Sequence, residues 1–399
     1  MTTTPLGIAI ICSEWGKEPD ATAQREAEVL RAVLLVPSRH RFLLYPDSRP
    51  MRALVADCGA QSRVDFVRSV RRTRMHRRVW RRAKRLIRRR KRPPFAALLN
   101  DALVAAGADC AWMPGSVLVP LDLPYVATIG DLHHRTMPWF RDVAADGDWR
   151  ERDRLIEEVV LRAVGVIVSS NASALAVREA YGAPPGGTHV VPPPTPSFAM
   201  DASEHPRLPR PADIPSRYLF YPATYSAQNN QVTAVRVLAA MSGMAAQPLL
   251  VLAGADHGTL AHVTREAEAL GVASRVIHVG VPDGDRLVAL YQHAEAMIHP
   301  SLCGGTTAAL EAMALGCPVI AADIPGAAEQ VGAAGILVDP FDPGAFVAAI
   351  RSLRHDALRR EALVEAGMLR ARGWSAPQYA AAVIALIDSR VAPVRALWR

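Results

Sequence analysis

At 399 residues the chain is too long for one ordinary core and suits two domains of roughly 150–200 residues each. Half of the residues are apolar and 21% are charged, which excludes a disordered or collagen-like chain. The net charge of +8 is concentrated in one place: residues 68–92 hold 13 Arg and 2 Lys, and the remaining 31 basic residues face 38 acidic ones, leaving the rest of the protein at −7.

In chain order, the apolar run LGIAIIC at 6–12 reads as a buried strand. The opening MTTTPLGIAIICSEWG lacks the basic region and cleavage site of a signal peptide, and no stretch approaches the roughly 20 apolar residues of a membrane span, so a cytoplasmic location is expected. An amphipathic helix at 21–35 and a strand at 42–45 follow. Within RRVWRRAKRLIRRRKR, Val79, Trp80, Ala83, Leu86 and Ile87 fall on one stripe of a helix whose other faces are arginine, so an Arg-rich helix is expected within 66–92, ended by Pro93 and Pro94. Such a helix suits an anionic membrane surface, with Trp80 and Leu86 entering the interface. Packing on its own domain is a second reading. Nucleic-acid binding is a third, disfavoured because aromatic interleaving and base-reading motifs are missing.

Beyond it come a helix at 95–106, strands at 110–113 and 125–129, a helix at 150–164 and a strand at 165–169, an alternation that implies an open α/β domain over residues 1–200. Residues 183–216 hold 10 of the 31 prolines, and the interdomain linker is expected at 201–216. Apolar runs at 218–221, 249–253, 276–279, 296–299, 319–321 and 336–338, separated by helical patterns, imply a second parallel sheet over 217–380. A last helix at 381–399 is expected to cross back to the first domain. Two Rossmann-like domains then face across a cleft, the usual place for a ligand. The missing GxGxxG and GxxxxGK[ST] patterns disfavour a dinucleotide oxidoreductase and a P-loop NTPase. Cys12, Cys58, Cys110, Cys303 and Cys317 are scattered and odd in number, which argues against a disulfide framework or a zinc ribbon.

From Val276 the chain reads VIHVGVPDGDRLVALYQHAEAMIHPSLCGGTTAALEAMALGCPVIAADIPGAAEQVGAAGILVDPFDPGAFVAAI. Pro300-Ser301, the helix around Leu310-Glu311-Ala312, Gly316-Cys317-Pro318 and Asp339-Pro340 occur in the order found in the donor-binding domain of glycosyltransferase family 4, which this segment closely resembles. VATIGDLHHRTMPWF at 126–140 is similar to the DLxH segment of one branch of that family. The resemblance implies an α/β GT-B fold, a nucleotide diphosphate sugar as co-substrate, retention of anomeric configuration, and no cofactor or obligatory metal. It also implies an active-site histidine near the donor sugar, His134, with His133 as the alternative and Asp131 orienting the ring.

A donor site of this kind needs hydrogen-bond donors for a diphosphate and an acceptor for ribose hydroxyls. Gly304, Gly305, Thr306 and Thr307 precede an expected helix, whose N-terminus suits an anion. Glu311 matches the second glutamate of the family motif, which implies ribose binding. Two positions depart. The first glutamate of the motif is Cys303, and the lysine that usually supplies charge to the diphosphate is Asn229, next to Asn230; both asparagines are read as weak hydrogen-bond candidates or helix caps. Arg265 and Arg286 read as surface charges. The expected partners are a nucleotide sugar, a glycan or lipid-linked acceptor, and the inner membrane face, with polysaccharide or lipopolysaccharide assembly as the setting. The departures leave open a degenerate relative that binds or scaffolds without turnover.

Overall fold

The computed structural model describes residues 4–16, 21–68, 70, 94–115, 117–140, 149–243, 247–304 and 307–398. Nearly all of the expected Arg-rich helix at 66–92, and both Gly305 and Thr306, lie outside the described residues.

Strands β1 (Gly7–Ile11), β2 (Arg41–Tyr45), β3 (Val64–Phe66), β4 (Cys110–Met113), β5 (Tyr125–Thr128), β6 (Gly165–Val168) and β7 (Thr188–Val190) form a parallel sheet in the order β3-β2-β1-β4-β5-β6-β7. Helices α1 (Ala21–Leu35), α2 (Arg49–Asp57), α3 (Pro94–Ala105), α4 (His133–Thr136), α5 (Trp149–Arg162) and α6 (Asn171–Tyr181) belong to the same half. The central strands GIAII, CAWM and GVIV are buried along almost their whole length, which is why they read as unbroken apolar runs.

The second sheet contains β8 (Tyr218–Pro222), β9 (Leu249–Ala253), β10 (Val276–His278), β11 (Ala296–His299), β12 (Val319–Ala322) and β13 (Ile336–Val338), in the order β10-β9-β8-β11-β12-β13. Around it lie α7 (Ser197–Ser203), α8 (Gln231–Ala240), α9 (Leu260–Ala269), α10 (Gly284–His293), α11 (Ala308–Ala314), α12 (Ala327–Val331), α13 (Pro343–His355) and α14 (Ala357–Gly373). Each sheet reverses its strand order once, between β1 and β4 and between β8 and β11. Loops leaving the C-terminal ends of the strands at such a reversal diverge and open a crevice.

The crossing between domains lies earlier than the 201–216 linker expected from proline content. Ala199 is fully buried in the core of the second domain, with Phe198 and Met200 packed against it, because α7 offers its apolar face to α10 and α11. The chain crosses again at its end. Tyr379, Val383, Leu386, Ile387 and Val391 of α15 (Ala376–Trp398) are buried in the core of the first domain against α1, so this helix begins before the expected boundary at 381. The two crossings are tied together: Thr195 donates its N–H to the Trp374 carbonyl at 2.7 Å and its hydroxyl to the Ala371 carbonyl at 2.8 Å. Among the described residues no helix is long and apolar enough to cross a membrane.

Candidate functional site

The second domain contributes the loops after β8 and β11, which flank its strand-order reversal. Gly304 stands where the chain passes the loop after β12: a Cβ there would lie 2.5 Å from the Pro325 carbonyl oxygen, so the turn accepts only glycine without movement. Thr307 precedes α11, and one turn on Glu311 carries a half-buried carboxylate. Its Oε1 accepts from the Thr307 hydroxyl at 2.7 Å and its Oε2 from the Tyr291 hydroxyl at 2.8 Å. Burial pushes the Glu311 carboxyl above the usual carboxylate range, and these two donors oppose that push. Glu311 is therefore a held acceptor at the edge of the cleft.

Cys303 lies beside it. Its N–H donates to Ser301 Oγ at 3.1 Å, and burial, with Asp131 adding to it, raises its thiol to about 12. A neutral thiol is thus presented where the family motif has its first glutamate.

Asn230 stands at the N-cap position of α8, one of the two roles expected of the asparagines, although its side chain caps no amide there; its Oδ1 accepts from the Thr233 hydroxyl at 3.0 Å. Asn229 Nδ2 donates to the Thr224 carbonyl at 2.8 Å, to Thr224 Oγ1 at 3.1 Å and to Ser226 Oγ at 3.0 Å, while its Oδ1 accepts from Ser301 Oγ at 3.1 Å. Its backbone carbonyl accepts from the Tyr221 hydroxyl. Asn230 adopts φ 53° and donates to the carbonyls of Pro300 at 3.1 Å and Pro340 at 3.0 Å. Both side chains tie the strand-end loops to one another rather than offering free donors. Arg286 is paired with Asp213 at 2.6 Å.

The first domain contributes the segment after β5. His133 is half-buried and Asp131 Oδ1 accepts its N–H at 3.0 Å, an Asx turn that starts α4. The His133 ring Nδ1 lies 3.5 Å from Asp131 Oδ1 and 3.9 Å from Cys303 Sγ, so it bridges the cleft. Burial lowers the His133 pKa, opposed by Asp131 and assisted by Arg152 and Arg25. Burial also raises the Asp131 carboxyl, but His133, Arg152 and the His133 N–H outweigh it, and the carboxyl falls below its ordinary value. Arg152 pairs with Asp131 at 2.9 Å.

His134, the expected active-site histidine, does not reach the cleft. It is 1% exposed, and its Nε2 lies 3.1 Å from both Asp153 Oδ1 and the Tyr181 hydroxyl. Arg135 completes this cluster by pairing with Asp153 and stacking over the Tyr181 ring at 4.6 Å. Successive residues of the short α4 point in different directions, so only one of the two histidines can face the second domain.

Contacts that the sequence did not disclose join the walls. Glu329 of α12 accepts from the backbone N–H of Asn171 at 2.7 Å, from Asn171 Nδ2 at 2.9 Å and from the N–H of Ala172 at 2.8 Å. Glu28 of α1 accepts from the Ser197 N–H at 2.9 Å and from its hydroxyl at 3.1 Å.

Residues 210–370 match the family described as Glycosyl transferases group 1. The match lies within the second domain. Among curated proteins, the D-inositol 3-phosphate glycosyltransferase of Acidothermus cellulolyticus is 30% identical over 233 residues, covering 54% of this chain and 52% of that one, so the match spans about half the length of the relative. Among solved structures, Anabaena Alr3699/HepE in complex with UDP and glucose superposes with a TM-score of 0.67 at 16% identity, over 96% of this chain and 100% of that one. WaaG, a glycosyltransferase involved in lipopolysaccharide biosynthesis, gives 0.64 at 16% identity over 94% and 99% of the two chains. The fold of the whole chain is GT-B.

Proposed function

We propose that this protein is a retaining glycosyltransferase that moves a sugar from a nucleotide diphosphate sugar to a glycan or lipid-linked glycan, without an obligatory metal. The bond between the anomeric carbon and the diphosphate oxygen breaks, a bond to an acceptor hydroxyl oxygen forms, and the hydroxyl proton leaves with the released nucleotide or to solvent. What carries the reading is the juxtaposition of Glu311 and the Cys303-Gly304 turn, at the strand-order reversal of the domain that matches the group 1 family, with His133 of the opposite domain. Glu311 binds the ribose hydroxyls, Cys303-Gly304 and Thr307 lie along the diphosphate, and His133 rather than His134 stands near the transferred sugar, oriented by Asp131. Domain closure excludes water and aligns the acceptor.

Relatives support the class of donor and the setting: the HepE structure holds UDP and glucose, and WaaG serves lipopolysaccharide assembly. The reading includes a cytoplasmic protein peripheral on the inner membrane face, docked through residues 68–92. Calorimetric titration with UDP, GDP, ADP and their sugar conjugates tests the donor site. Glu311→Ala removes a charged acceptor, worth about 1.5–3 kcal/mol, so the dissociation constant of the preferred nucleotide is expected to rise by about 10–100-fold. An unchanged constant counts against the assignment.

A second reading, a binding or scaffolding protein without turnover, draws on two observations. Cys303 stands in place of an acid, and the side chain of Asn229 is wholly engaged within its own loops. Release of nucleotide from a bound sugar donor in the presence of acceptor separates the two.

A further inference from the structure

Residues 223–230 and 300–307, which form the loops after β8 and β11, contain no Lys or Arg. With Asn229 bound into its own loops, the second domain brings no cation from this part of the cleft to a diphosphate. Breaking a bond to a diphosphate develops negative charge, and stabilising such charge is commonly the largest electrostatic contribution to the transfer. A cation from elsewhere is therefore needed.

The first domain offers one on α1. Arg25 is exposed and forms no hydrogen bond or ion pair among the described residues. Glu28 lies three residues further along and so on the same helical face; its bonds to Ser197 turn that face toward the second domain. The charge of Arg25 is felt, as the smallest of several influences, by groups on three separate segments: it opposes the upward push of burial on Glu311, where the nearby Glu28 carboxylate acts the other way, and on Cys303, and it depresses His133. Cys303 and His133 are themselves in contact at 3.9 Å, so the groups that Arg25 acts on form one cluster spanning the cleft.

In the donor site proposed above, on which this inference rests, Glu311 stands at the ribose end and Cys303 at the sugar end. A cation on the wall of the first domain whose charge reaches both is placed to meet the group that joins them. We propose that Arg25 is the diphosphate-binding residue of this site, supplying from the first domain the charge that the loops after β8 and β11 lack. A guanidinium suits the task because its planar fork engages two phosphate oxygens at once. Its position across the cleft makes diphosphate binding and domain closure one event. A donor held only by the second domain meets no cation from the loops after β8 and β11, so leaving-group stabilisation begins when the cleft shuts.

The test is calorimetric titration of the full chain with UDP, GDP and ADP and with uridine, guanosine and adenosine, on wild type, Arg25→Ala, Arg25→Lys and Glu311→Ala. In wild type, the diphosphate of the preferred base is expected to bind at least tenfold tighter than its nucleoside. Arg25→Ala is expected to remove most of that difference, to leave nucleoside affinity within twofold, and to flatten the salt dependence of diphosphate binding. Arg25→Lys is expected to keep a part of the difference. Glu311→Ala is expected to weaken nucleoside and diphosphate alike, which separates the ribose contact from the phosphate contact. A full diphosphate preference with an unchanged salt slope in Arg25→Ala overturns the role of Arg25 and leaves the donor site standing. No binding of any nucleotide by wild type overturns the donor reading and this inference with it.

Discussion

His299 ends β11 directly beneath the loop that carries Cys303, and it is 5% exposed, with its ring edge-on to Tyr221 at 5.4 Å. Burial lowers its pKa to about 4. The unfolded chain binds a proton at this residue below about 6.5, whereas the folded protein refuses one until about 4. Stability from a neutral His299 is thus fully present above about pH 6.5 and is lost as the pH falls toward 4, by about 3 kcal/mol across the window. His299→Gln stays neutral at every pH and is expected to remove that slope, which urea unfolding at pH 4.5 and 7 measures. An equal pH dependence in wild type and variant counts against the assignment. His134 belongs with such structural histidines, since its contacts run to Asp153 and Tyr181 rather than to the cleft.

At the level of elements, α6 is capped from both domains. Ser170 Oγ accepts from the Ser173 N–H at 3.0 Å, and the two amides before it, Asn171 and Ala172, are taken by the Glu329 carboxylate. A negative charge at a helix N-terminus is favourable, and here it also joins the walls of the cleft. Glu329→Ala leaves those amides to water and is expected to weaken the domain contact by about 1–3 kcal/mol. Hydrogen exchange reports it: faster exchange at Asn171 and Ala172 with the cores of both sheets unchanged is the expected result, and protection equal to wild type opposes it. The same elements explain what was legible in the sequence. Fully buried parallel strands such as β6 and β11 appear as apolar runs between turns, so the alternation and both sheets could be read. The short β3, with only Val64 buried, gave no comparable run, whereas the nine-residue α2 does place Met51, Leu54 and Val55 on one face, a pattern too short to stand out between the turns that flank it. Glu311 and Gly304 could be proposed from the sequence because that part of the candidate site is continuous in the chain. The choice between His133 and His134, and the contributions of Arg25 and Glu329, depend on how the domains face each other, which no local pattern encodes.

At the scale of the whole molecule, the chain passes between domains at Thr195 and again at Trp374, and these strands of the hinge are bonded to each other. Helix α15 then packs on α1, the helix that bears Arg25 and Glu28, so the wall facing the second domain is braced by the last helix of the first. Charge is partitioned on the same scale: 15 basic residues lie in 68–92 and the remainder carries −7. An anionic bilayer repels that remainder and attracts the segment, each basic residue near the surface contributing about 1 kcal/mol. Membrane docking through the segment therefore requires anionic lipid and fails as salt shortens the screening length from about 10 Å at 0.1 M to about 3 Å at 1 M. Sedimentation with anionic vesicles at 0.1 M salt, loss at 1 M, and no sedimentation with purely zwitterionic vesicles is the expected pattern. Replacing the arginines of 68–92 with glutamine is expected to abolish it while nucleotide binding in the cleft persists. Equal sedimentation with both kinds of vesicle, or with the arginines replaced, would mean that another surface meets the membrane.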